Sequence, residues 1–390
     1  MKARISNFKS ELNFSGKYNI SNFMHMKIYI IVSIIAISTF FQLNASAQGC
    51  VAIRGIGGVS CLNPHEAADS SSWSLTVNTR YFKSYKHFVG MAEQKERVEN
   101  ETEVINHNFS TDLFLQKNLS KRFSFGVNLP IISNARSSLY EHGGNAVGSS
   151  ARHATHSFGL GDVRLATYYW LRDPGNMPRW NAQVGLGLKL PTGDYQYQDY
   201  FIKNDTTKVL GPVDQSIQLG DGGTGITLEL STFYAFSQKL SAYGGFFYLS
   251  NPREQNGVTT GRGSAVTPAS ITYGSNIMSV PDQYMYRFGL SYMTKHMSAN
   301  LGLRKEGLPS KDLIGGSNGF RRPGYVLSVE PGISLTQKKI TYFVNLPVAI
   351  QRNRTQSVPD KIRSQKTNSY YRGDAAFADY LVNVGAVLKF

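Results

Sequence analysis

Three histidines and two serines that could support hydrolysis or metal binding lie close together in the sequence. His142, His153 and His156 flank the adjacent Ser149 and Ser150. A serine hydrolase needs a serine, a histidine and an acid held in a fixed geometry, but these serines lie in a Gly-rich stretch without a Gly-x-Ser-x-Gly turn around them. His153 and His156 could bind a metal together, but no acid or third ligand lies at a useful spacing from this pair. The sequence therefore predicts neither an enzyme nor a cofactor, with no catalytic residue and no metal site.

Four aspartates further along the chain could attract cations. Asp199, Asp205, Asp214 and Asp221 share one stretch of sequence but follow no spacing that a metal ion would require. We interpret them as ordinary solvated loop acids.

Charged residues also recur inside segments in which apolar and polar residues alternate. Successive side chains of a strand point to opposite faces, so these charges share the face opposite the apolar residues. One interpretation is that they are solvated or mutually paired charges on the wall of a lumen, many of them pairing across it. The other is a polar constriction that binds an anionic or phenolic solute. The candidates for this solute path are Arg80, Asp112, Arg164, Lys189, Glu229, Arg287 and Arg304.

The segments that carry these charges follow a period of two from Trp73 to the end of the chain. The first places Leu75 and Val77 on one face and Thr76 and Asn78 on the other. Short and long connections alternate between the segments, which is typical of bacterial outer-membrane barrels. The loops of a soluble β-sandwich would not sort by length in this way. Twelve such segments begin near Trp73, Val104, Phe123, Asp162, Trp180, Gly225, Leu240, Asp282, Met297, Tyr325, Ile340 and Phe377.

Residues 73–390 are therefore predicted to be all-β and to form a transmembrane antiparallel up-and-down β-barrel of about 12 strands. Lipid offers no hydrogen-bond partner to a sheet edge, so spanning strands must close into a cylinder. With an even number of strands both ends face the periplasm, which leaves short periplasmic turns and long extracellular loops. Barrels of about eight strands are filled by side chains and those of about sixteen are open, so twelve strands predict a narrow pore.

Aromatic residues mark the expected membrane boundaries and the inside of the barrel. The girdle at the turn-side strand ends is predicted to contain Trp73, Phe123, Tyr169, Trp180, Phe236, Tyr292 and Phe390. The girdle at the loop-side ends is predicted to contain Tyr85, Tyr248, Tyr284 and Tyr325. The aromatic residues expected to point inward and narrow the passage are Phe114, Tyr168, Trp170, Phe233 and Phe343.

One strongly apolar stretch, residues 28–41, precedes the small residues Ala45-Ser46-Ala47. The stretch is too short to span a bilayer as a helix but suits the hydrophobic region of a signal peptide. Residues 1–47 are therefore predicted to be a leader, and the mature chain to begin near Gln48, outside the cytoplasm.

Residues 48–72 are predicted to be an N-terminal periplasmic segment before the first strand. Fully extended, they reach on the order of 80 Å, which is enough to enter the lumen. A lumen plug is one interpretation and a disordered periplasmic tail is the other. Cys50 and Cys61 lie outside the reducing cytoplasm and most simply form one disulfide, with a lipid-modified Cys50 as the alternative.

The last residues and the net charge point to the partners of the protein. The ending Gly385-Ala386-Val387-Leu388-Lys389-Phe390 resembles the terminal signal that outer-membrane assembly machinery recognises. The formal net charge of +15 is dispersed, without a dense basic run. It argues against nucleic acid as a partner and fits a protein beside anionic outer-membrane lipids and lipopolysaccharide.

Three Gly-rich segments carry a resemblance to a known family. They are Gly159-Leu160-Gly161-Asp162, Gly187-Leu188-Lys189-Leu190-Pro191-Thr192-Gly193-Asp194 and Leu219-Gly220-Asp221-Gly222-Gly223-Thr224-Gly225. They resemble motifs of the MetA-pathway phenol-degradation family of outer-membrane transporters, over roughly residues 70–390. The resemblance implies an outer-membrane barrel and passage of small molecules.

The sequence as a whole predicts a passive transporter or channel for a small-molecule solute, with hydrophobic and aromatic compounds as candidates. Its predicted location is the bacterial outer membrane, after secretion through the inner membrane. A non-transporting barrel with a surface-binding or structural role is the alternative, and an outer-membrane lipid hydrolase is a third hypothesis.

Overall fold

A computed structural model describes residues 73–143, 152–176 and 178–390. The leader, the segment 48–72 and the predicted disulfide between Cys50 and Cys61 lie outside the described residues, so what was predicted for them stays a prediction. No helix within the described ranges is both long enough and apolar enough to cross a membrane.

The described chain consists mainly of strands, with three short α-helices and the 3₁₀ helices Pro174–Asn176 and Gln215–Ile217 in its connections. The strands are β1 (Trp73–Val89), β2 (Ala92–Glu93), β3 (Ile105–Asn118), β4 (Phe123–Ser138), β5 (His153–Leu160), β6 (Arg164–Trp170), β7 (Trp180–Lys189), β8 (Gln198–Ile202), β9 (Lys208–Pro212), β10 (Gly225–Ala235), β11 (Leu240–Ser250), β12 (Gln255–Thr259), β13 (Ile277–Ser279), β14 (Gln283–Met293), β15 (Met297–Leu308), β16 (Gly324–Gln337), β17 (Ile340–Asn345), β18 (Val348–Arg354), β19 (Ala375–Ala378) and β20 (Val382–Lys389). The α-helices are α1 (Glu96–Glu99), α2 (Pro268–Tyr273) and α3 (Val358–Thr367).

Sixteen of these strands form one closed antiparallel sheet, the barrel. In three cases, two strands together occupy one position around the circumference of the barrel. β5 and β6 both pair with β4, β17 and β18 both pair with β16, and β19 and β20 both pair with β1. The two-residue β2 only extends β1, which leaves twelve positions around the circumference. Pairing of β15 with β16, and of β20 with β1 and β17, completes the ring. The predicted fold class is confirmed.

The apolar side chains of the barrel face outward, the reverse of a soluble protein. Along β10, Ile226, Leu228 and Leu230 are exposed, whereas Thr227 and Glu229 are buried. The same alternation along the other barrel strands produces an apolar outer surface around a polar interior. Such a surface is stable only against hydrocarbon, which is the environment of a transmembrane barrel.

The aromatic girdle predicted for the turn-side strand ends is present, since all seven of its members are exposed. Two of them lie at the ends of the barrel sequence, where the backbones of Trp73 and Phe390 exchange hydrogen bonds of 3.1 and 3.0 Å. The last residue of the chain is therefore fixed beside the first strand, with its ring outside. Tyrosine and tryptophan prefer this depth because one end of each ring is apolar and the other is polar.

The girdle predicted for the loop-side ends is less regular. Tyr284 is buried, with only 2% of its surface exposed, so its assignment to an exposed girdle was wrong. The hydroxyls of Tyr85 and Tyr248 donate to Asp379 and Asp282 at 3.0 and 2.7 Å. These rings are held by carboxylates of nearby connections because the long loops pack over this end of the barrel.

The inward aromatic rings lie flat against glycines of neighbouring strands. A Cβ atom at Gly185 would lie 2.7 Å from the ring of Tyr168, and one at Gly385 would lie 2.5 Å from the ring of Phe343. Both distances are too short for two carbon atoms in contact. Glycine at these positions therefore makes room for a large ring on the wall.

The outward face offers a test of the membrane assignment at Leu186, which is 59% exposed in β7. Leu186→Arg places a charge in hydrocarbon and is expected to destabilise the folded barrel by about 2–4 kcal/mol. The measurement is urea-dependent folding into phospholipid vesicles, followed by the gel mobility of the unheated protein. Leu313→Arg is the control, because Leu313 is an exposed apolar residue of the connection between β15 and β16. Equal effects of the two substitutions would contradict the assignment.

Candidate functional site

The structure places all seven predicted solute-path residues inside the barrel, each between 5% and 7% exposed. Arg80 pairs with Asp112, and Arg164 Nη2 lies 3.4 Å from Glu229 Oε1. A charge in a poorly solvated wall needs an opposite charge beside it, and here each pair joins strands of the same sheet. The structure therefore supports pairing along the wall, and a direct role in solute passage stays a prediction.

The three Gly-rich motifs of the sequence meet around Lys189. Lys189 Nζ lies 3.5 Å from Asp162 Oδ2 and also contacts Asp221. Asp162 accepts hydrogen bonds from the backbone N–H groups of Gly193 and Asp221, at 3.0 and 3.2 Å. Each motif contributes at least one residue to this group of contacts: Asp162, Lys189 with Gly193, and Asp221. The contacts tie β7 to the connections on both sides of this strand. The interpretation of Asp221 as a solvated loop acid was wrong, because Lys189 draws it onto the barrel wall.

A second charge cluster is centred on Glu330 of β16, which is only 1% exposed. Its Oε1 lies 3.5 Å from Arg304 Nη1, and its Oε2 lies 3.8 Å from Arg287 Nε. Arg304 also donates to Glu306 at 2.7 Å. One carboxylate therefore holds two arginines of β14 and β15 in place on the inner wall.

The aromatic rings predicted to point inward lie nearer the turns than the charged residues do, whereas the buried Phe247 lies among the charges, 5.2 Å from the Arg164 guanidinium. On β6, for example, Arg164 precedes Tyr168 and Trp170 along the strand. Tyr168 packs edge-on against Phe114, and Trp170 packs edge-on against Phe233.

The connection between β9 and β10 folds into the barrel. We call its residues Val213–Leu219 the inward segment; Val213 and Ile217 are fully buried. The carbonyl of Ile217 accepts from Asn134 Nδ2 at 3.3 Å, on the wall at β4. On the other side, Gln215 Nε2 donates to the carbonyl of Ser279 in β13 at 2.8 Å. The inward segment thus crosses the space above the charged wall.

Asp214 anchors the inward segment through three arginines from distant parts of the chain. Arg322 donates to both of its oxygens, at 2.9 and 2.7 Å, and Arg262 donates to Oδ2 at 2.8 Å. Arg136 Nη1 of β4 lies 3.6 Å from Oδ1. Asp214 is 1% exposed, so the interpretation of this residue as a solvated loop acid was wrong. Three guanidinium groups compensate for its burial.

Glu141 completes this group, which we call the arginine–acid cluster: Arg136, Glu141, Asp214, Arg262 and Arg322. Glu141 Oε1 accepts from Arg136 Nη2 at 2.6 Å and from Arg262 Nη1 at 2.8 Å. Burial raises the pKa of Asp214 and of Glu141, but the arginines outweigh it, so both pKa values lie below their ordinary range and that of Asp214 lies well below. Both carboxylates therefore stay ionised at neutral pH.

The histidines considered for chemistry serve mainly as packing and hydrogen-bonding groups. His142 Nδ1 accepts from the N–H of Ile202 at 3.0 Å, and its ring lies between those of His153 and Phe201. Ser149 and Ser150 lie outside the described residues. Within residues 73–143, 152–176 and 178–390, no three side chains of His, Cys, Asp or Glu are grouped as ligands of a metal.

A Gly-x-Ser-x-Gly match that the sequence reading missed occurs at Gly315-Gly316-Ser317-Asn318-Gly319. In hydrolases this motif forms a sharp turn between a strand and a helix. Here it lies in the connection between β15 and β16, and Ser317 Oγ donates to Asp312 Oδ2 at 3.3 Å. The structural context of a nucleophile is missing, so the match does not indicate catalysis.

The inward segment separates two cavities. The lumen cavity, of about 190 Å³, is lined by Arg80, Arg164 and Lys189 on the wall and by Ser216 and Leu219 above. The outer cavity, of about 300 Å³, opens on the loop side and is lined by the three arginines of the arginine–acid cluster. The inward segment contacts both cavities, since Ser216 and Leu219 line the lumen cavity and Asp214 binds the arginines that line the outer one.

Solved structures that match this chain include an outer-membrane channel. A channel from Pseudomonas putida F1 matches over 83% of this chain and 96% of its own, with 11% identity and a TM-score of 0.53. A FadL homologue from Pseudomonas aeruginosa matches over 88% and 98%, with 9% identity and a TM-score of 0.41. The toluene transporter TbuX of Ralstonia pickettii matches over 89% and 99%, with 10% identity and a TM-score of 0.41. Protein-family models give no match to the sequence.

Three observations define the class of this protein: the closed barrel, its apolar outer face and the similarity to the P. putida channel. The protein is a β-barrel of the outer-membrane type. At such low identity the similarity concerns the fold alone. The resemblance of the Gly-rich motifs to the MetA-pathway family stays a prediction.

Proposed function

We propose that the protein is a passive channel that lets small solutes cross the outer membrane down their concentration gradients. The observation that carries this proposal is the interior of the barrel. A purely structural barrel could fill its interior with packed apolar side chains, whereas this one carries a charged wall and a cavity on each side of the inward segment. Binding and release without covalent chemistry are all that this function requires.

The dimensions of the lumen favour small solutes over large ones. Twelve positions enclose less space than the sixteen or so strands of open porins. The rings of Phe114, Tyr168 and Phe233 narrow the turn-side part, and the inward segment narrows the loop-side part. The rings also offer apolar surface, which supports hydrophobic and aromatic compounds as candidate solutes.

The location and partners proposed for the protein follow from the same surface. We propose the outer membrane of a bacterium, with lipid and lipopolysaccharide around the apolar face and delivery by a signal peptide. The exposed ring of Phe390, next to β1, is where the assembly machinery would recognise the chain.

The arginine–acid cluster favours one alternative, a non-transporting barrel with a structural or surface-binding role. It joins loops over the mouth, as a permanently closed barrel would also require. Reconstitution separates the two functions.

The test is solute flux and single-channel current after refolding the barrel into lipid. We expect discrete current steps of low conductance in planar bilayers. In liposome swelling we expect faster uptake of single-ring aromatic solutes than of trisaccharides, because the passage is narrow. Absence of both current and uptake from a barrel whose gel mobility shows it to be folded would contradict the channel and favour the structural alternative.

A further inference from the structure

The outer cavity is lined by an unusual number of arginines, and the function described so far uses only some of them. Three belong to the arginine–acid cluster. Of the others, Arg321 precedes Arg322 in the connection between β15 and β16, Arg354 ends β18, and Arg363 lies on α3. Asp360 and Asp374 are the acids on the same lining. A cavity with this composition attracts anions.

Carboxylates on the lining or outside it hold most of these arginines in place. Arg321 donates to both oxygens of Asp312, at 2.7 and 2.6 Å, and is 1% exposed. Arg354 Nη2 donates to Asp360 at 3.0 Å. Because these groups are fixed before any ligand arrives, a ligand loses little free energy in ordering them.

The positive charges of this region outnumber the negative ones. Asp374 pairs with Arg97 at 2.8 Å and with His87 at 2.7 Å. With Arg97 included, seven guanidinium groups face the five carboxylates Glu141, Asp214, Asp312, Asp360 and Asp374. Burial raises the pKa of Asp374, but His87 and the nearby arginines outweigh it and hold the pKa far below its ordinary value.

Two of the lining arginines retain capacity for a ligand. Arg354 is 3% exposed, and its Nε has no hydrogen-bond partner among the described residues. Arg363 lies on α3 with its guanidinium 3.7 Å from the ring centre of Tyr371 and 5.5 Å from that of Tyr273. It forms no ion pair with a carboxylate of the described chain. A buried donor without a partner is costly, and an anion would satisfy it.

We propose that the outer cavity is a binding site for a small aromatic carboxylate. Arg354 and Arg363 would bind the carboxylate, and the tyrosines beside them would contact the ring. The inference rests on the proposed function, because such a site would collect solute above the lumen. It goes further by naming the class of solute and the residues that select it.

The lining explains why an organic acid fits better than an inorganic anion. Tyr140, Tyr273, Tyr371 and Phe320 present aromatic surface to the same cavity as the arginines. The volume of about 300 Å³ lies at the lower end for small-molecule sites. A planar carboxylate also matches the paired N–H groups of a guanidinium.

The experiment measures binding of benzoate to the full-length folded protein in detergent by calorimetry, with benzyl alcohol as the neutral probe. We expect benzoate to bind more tightly than benzyl alcohol. Arg363→Gln should weaken benzoate binding roughly tenfold, the cost of one lost charge-assisted hydrogen bond. Lys361→Gln is the matched control, because it removes the same charge from an exposed position of α3 outside the cavity.

The outcomes separate this site from the channel function. Equal binding of the two probes, absence of benzoate binding, or equal effects of Arg363→Gln and Lys361→Gln would overturn the site. If any of these three results were found in a protein that takes up solute in liposomes, the channel proposal would stand without the site. Benzoate binding that depends on Arg363, in a protein that transports no solute, would support the site and contradict the channel.

Discussion

Asp214→Asn is expected to raise the ion conductance of the reconstituted protein several-fold. Asp214 is the point at which arginines of β4 and of two loops hold the inward segment between the two cavities. Removing its charge leaves three guanidinium groups near one another with too few carboxylates. Breaking a buried ion pair by removing one partner costs about 3–5 kcal/mol. That cost falls on the arrangement in which the inward segment crosses the space above the charged wall, which we call the closed state. The inward segment should therefore leave this space more often.

The measurement is single-channel current, with Asp205→Asn as the control. Asp205 is an exposed acid in the turn between β8 and β9, so the substitution makes the same chemical change in the neighbouring connection without touching the cluster. An unchanged conductance for Asp214→Asn would show that the inward segment does not limit passage.

The same cluster fixes the expected pH dependence of the closed state. The arginines lower the pKa values of Asp214 and Glu141. The contribution of these two carboxylates to the stability of the closed state is therefore complete above the ordinary carboxyl range, about pH 4. It is lost only as the pH falls further, through the lowered pKa values. The conductance of the unmodified protein should therefore be constant from pH 8 to about pH 5, and the closed state should weaken only in stronger acid.

Glu330→Gln is expected to destabilise the folded barrel by about 3–5 kcal/mol, because two buried arginines lose the carboxylate between them. Arg287 and Arg304 are 7% and 5% exposed, so water replaces that carboxylate poorly. The measurement is the urea midpoint for loss of the folded band in vesicles. Glu99→Gln, in the exposed helix α1, is the control and should leave the midpoint unchanged.

A second substitution distinguishes the cause of this effect. Replacing Arg287 and Glu330 together by methionine removes opposite charges in equal number, so part of the lost stability should return. A loss below about 1 kcal/mol for Glu330→Gln alone would mean that the lumen is well hydrated there and that its pairs resemble exposed surface pairs.

The barrel could be predicted from the sequence because its signal is local. Period-two alternation in each segment fixes which side chains face lipid, and ten of the twelve predicted starts fall within one residue of an observed strand start. The other two, near Asp162 and Phe377, fall where two strands share one position. The inward aromatic rings were also predictable, since Phe114, Tyr168 and Phe233 belong to the polar-facing set of their strands.

The loops could not be predicted in the same way. Nothing near Asp214 in the sequence indicates that it is buried, and the same holds for Asp221, whose partner is Lys189 of β7. The residues missed by sequence reasoning, Arg136, Glu141 and Arg262, come from separate elements and share no spacing. Charged loop residues are usually solvated, and only their three-dimensional arrangement shows which of them are not.

What the sequence alone determined is the wall: strands of alternating polarity that lipid forces to pair around a ring. Only the tertiary structure decided what lies across that ring. Asp214 and Arg322 are 108 positions apart and meet because the closed barrel brings their loops to one mouth. The physical difference is one of range, since the direction of a strand side chain depends on its neighbours along the chain, whereas a buried carboxylate depends on cations that the fold brings to it.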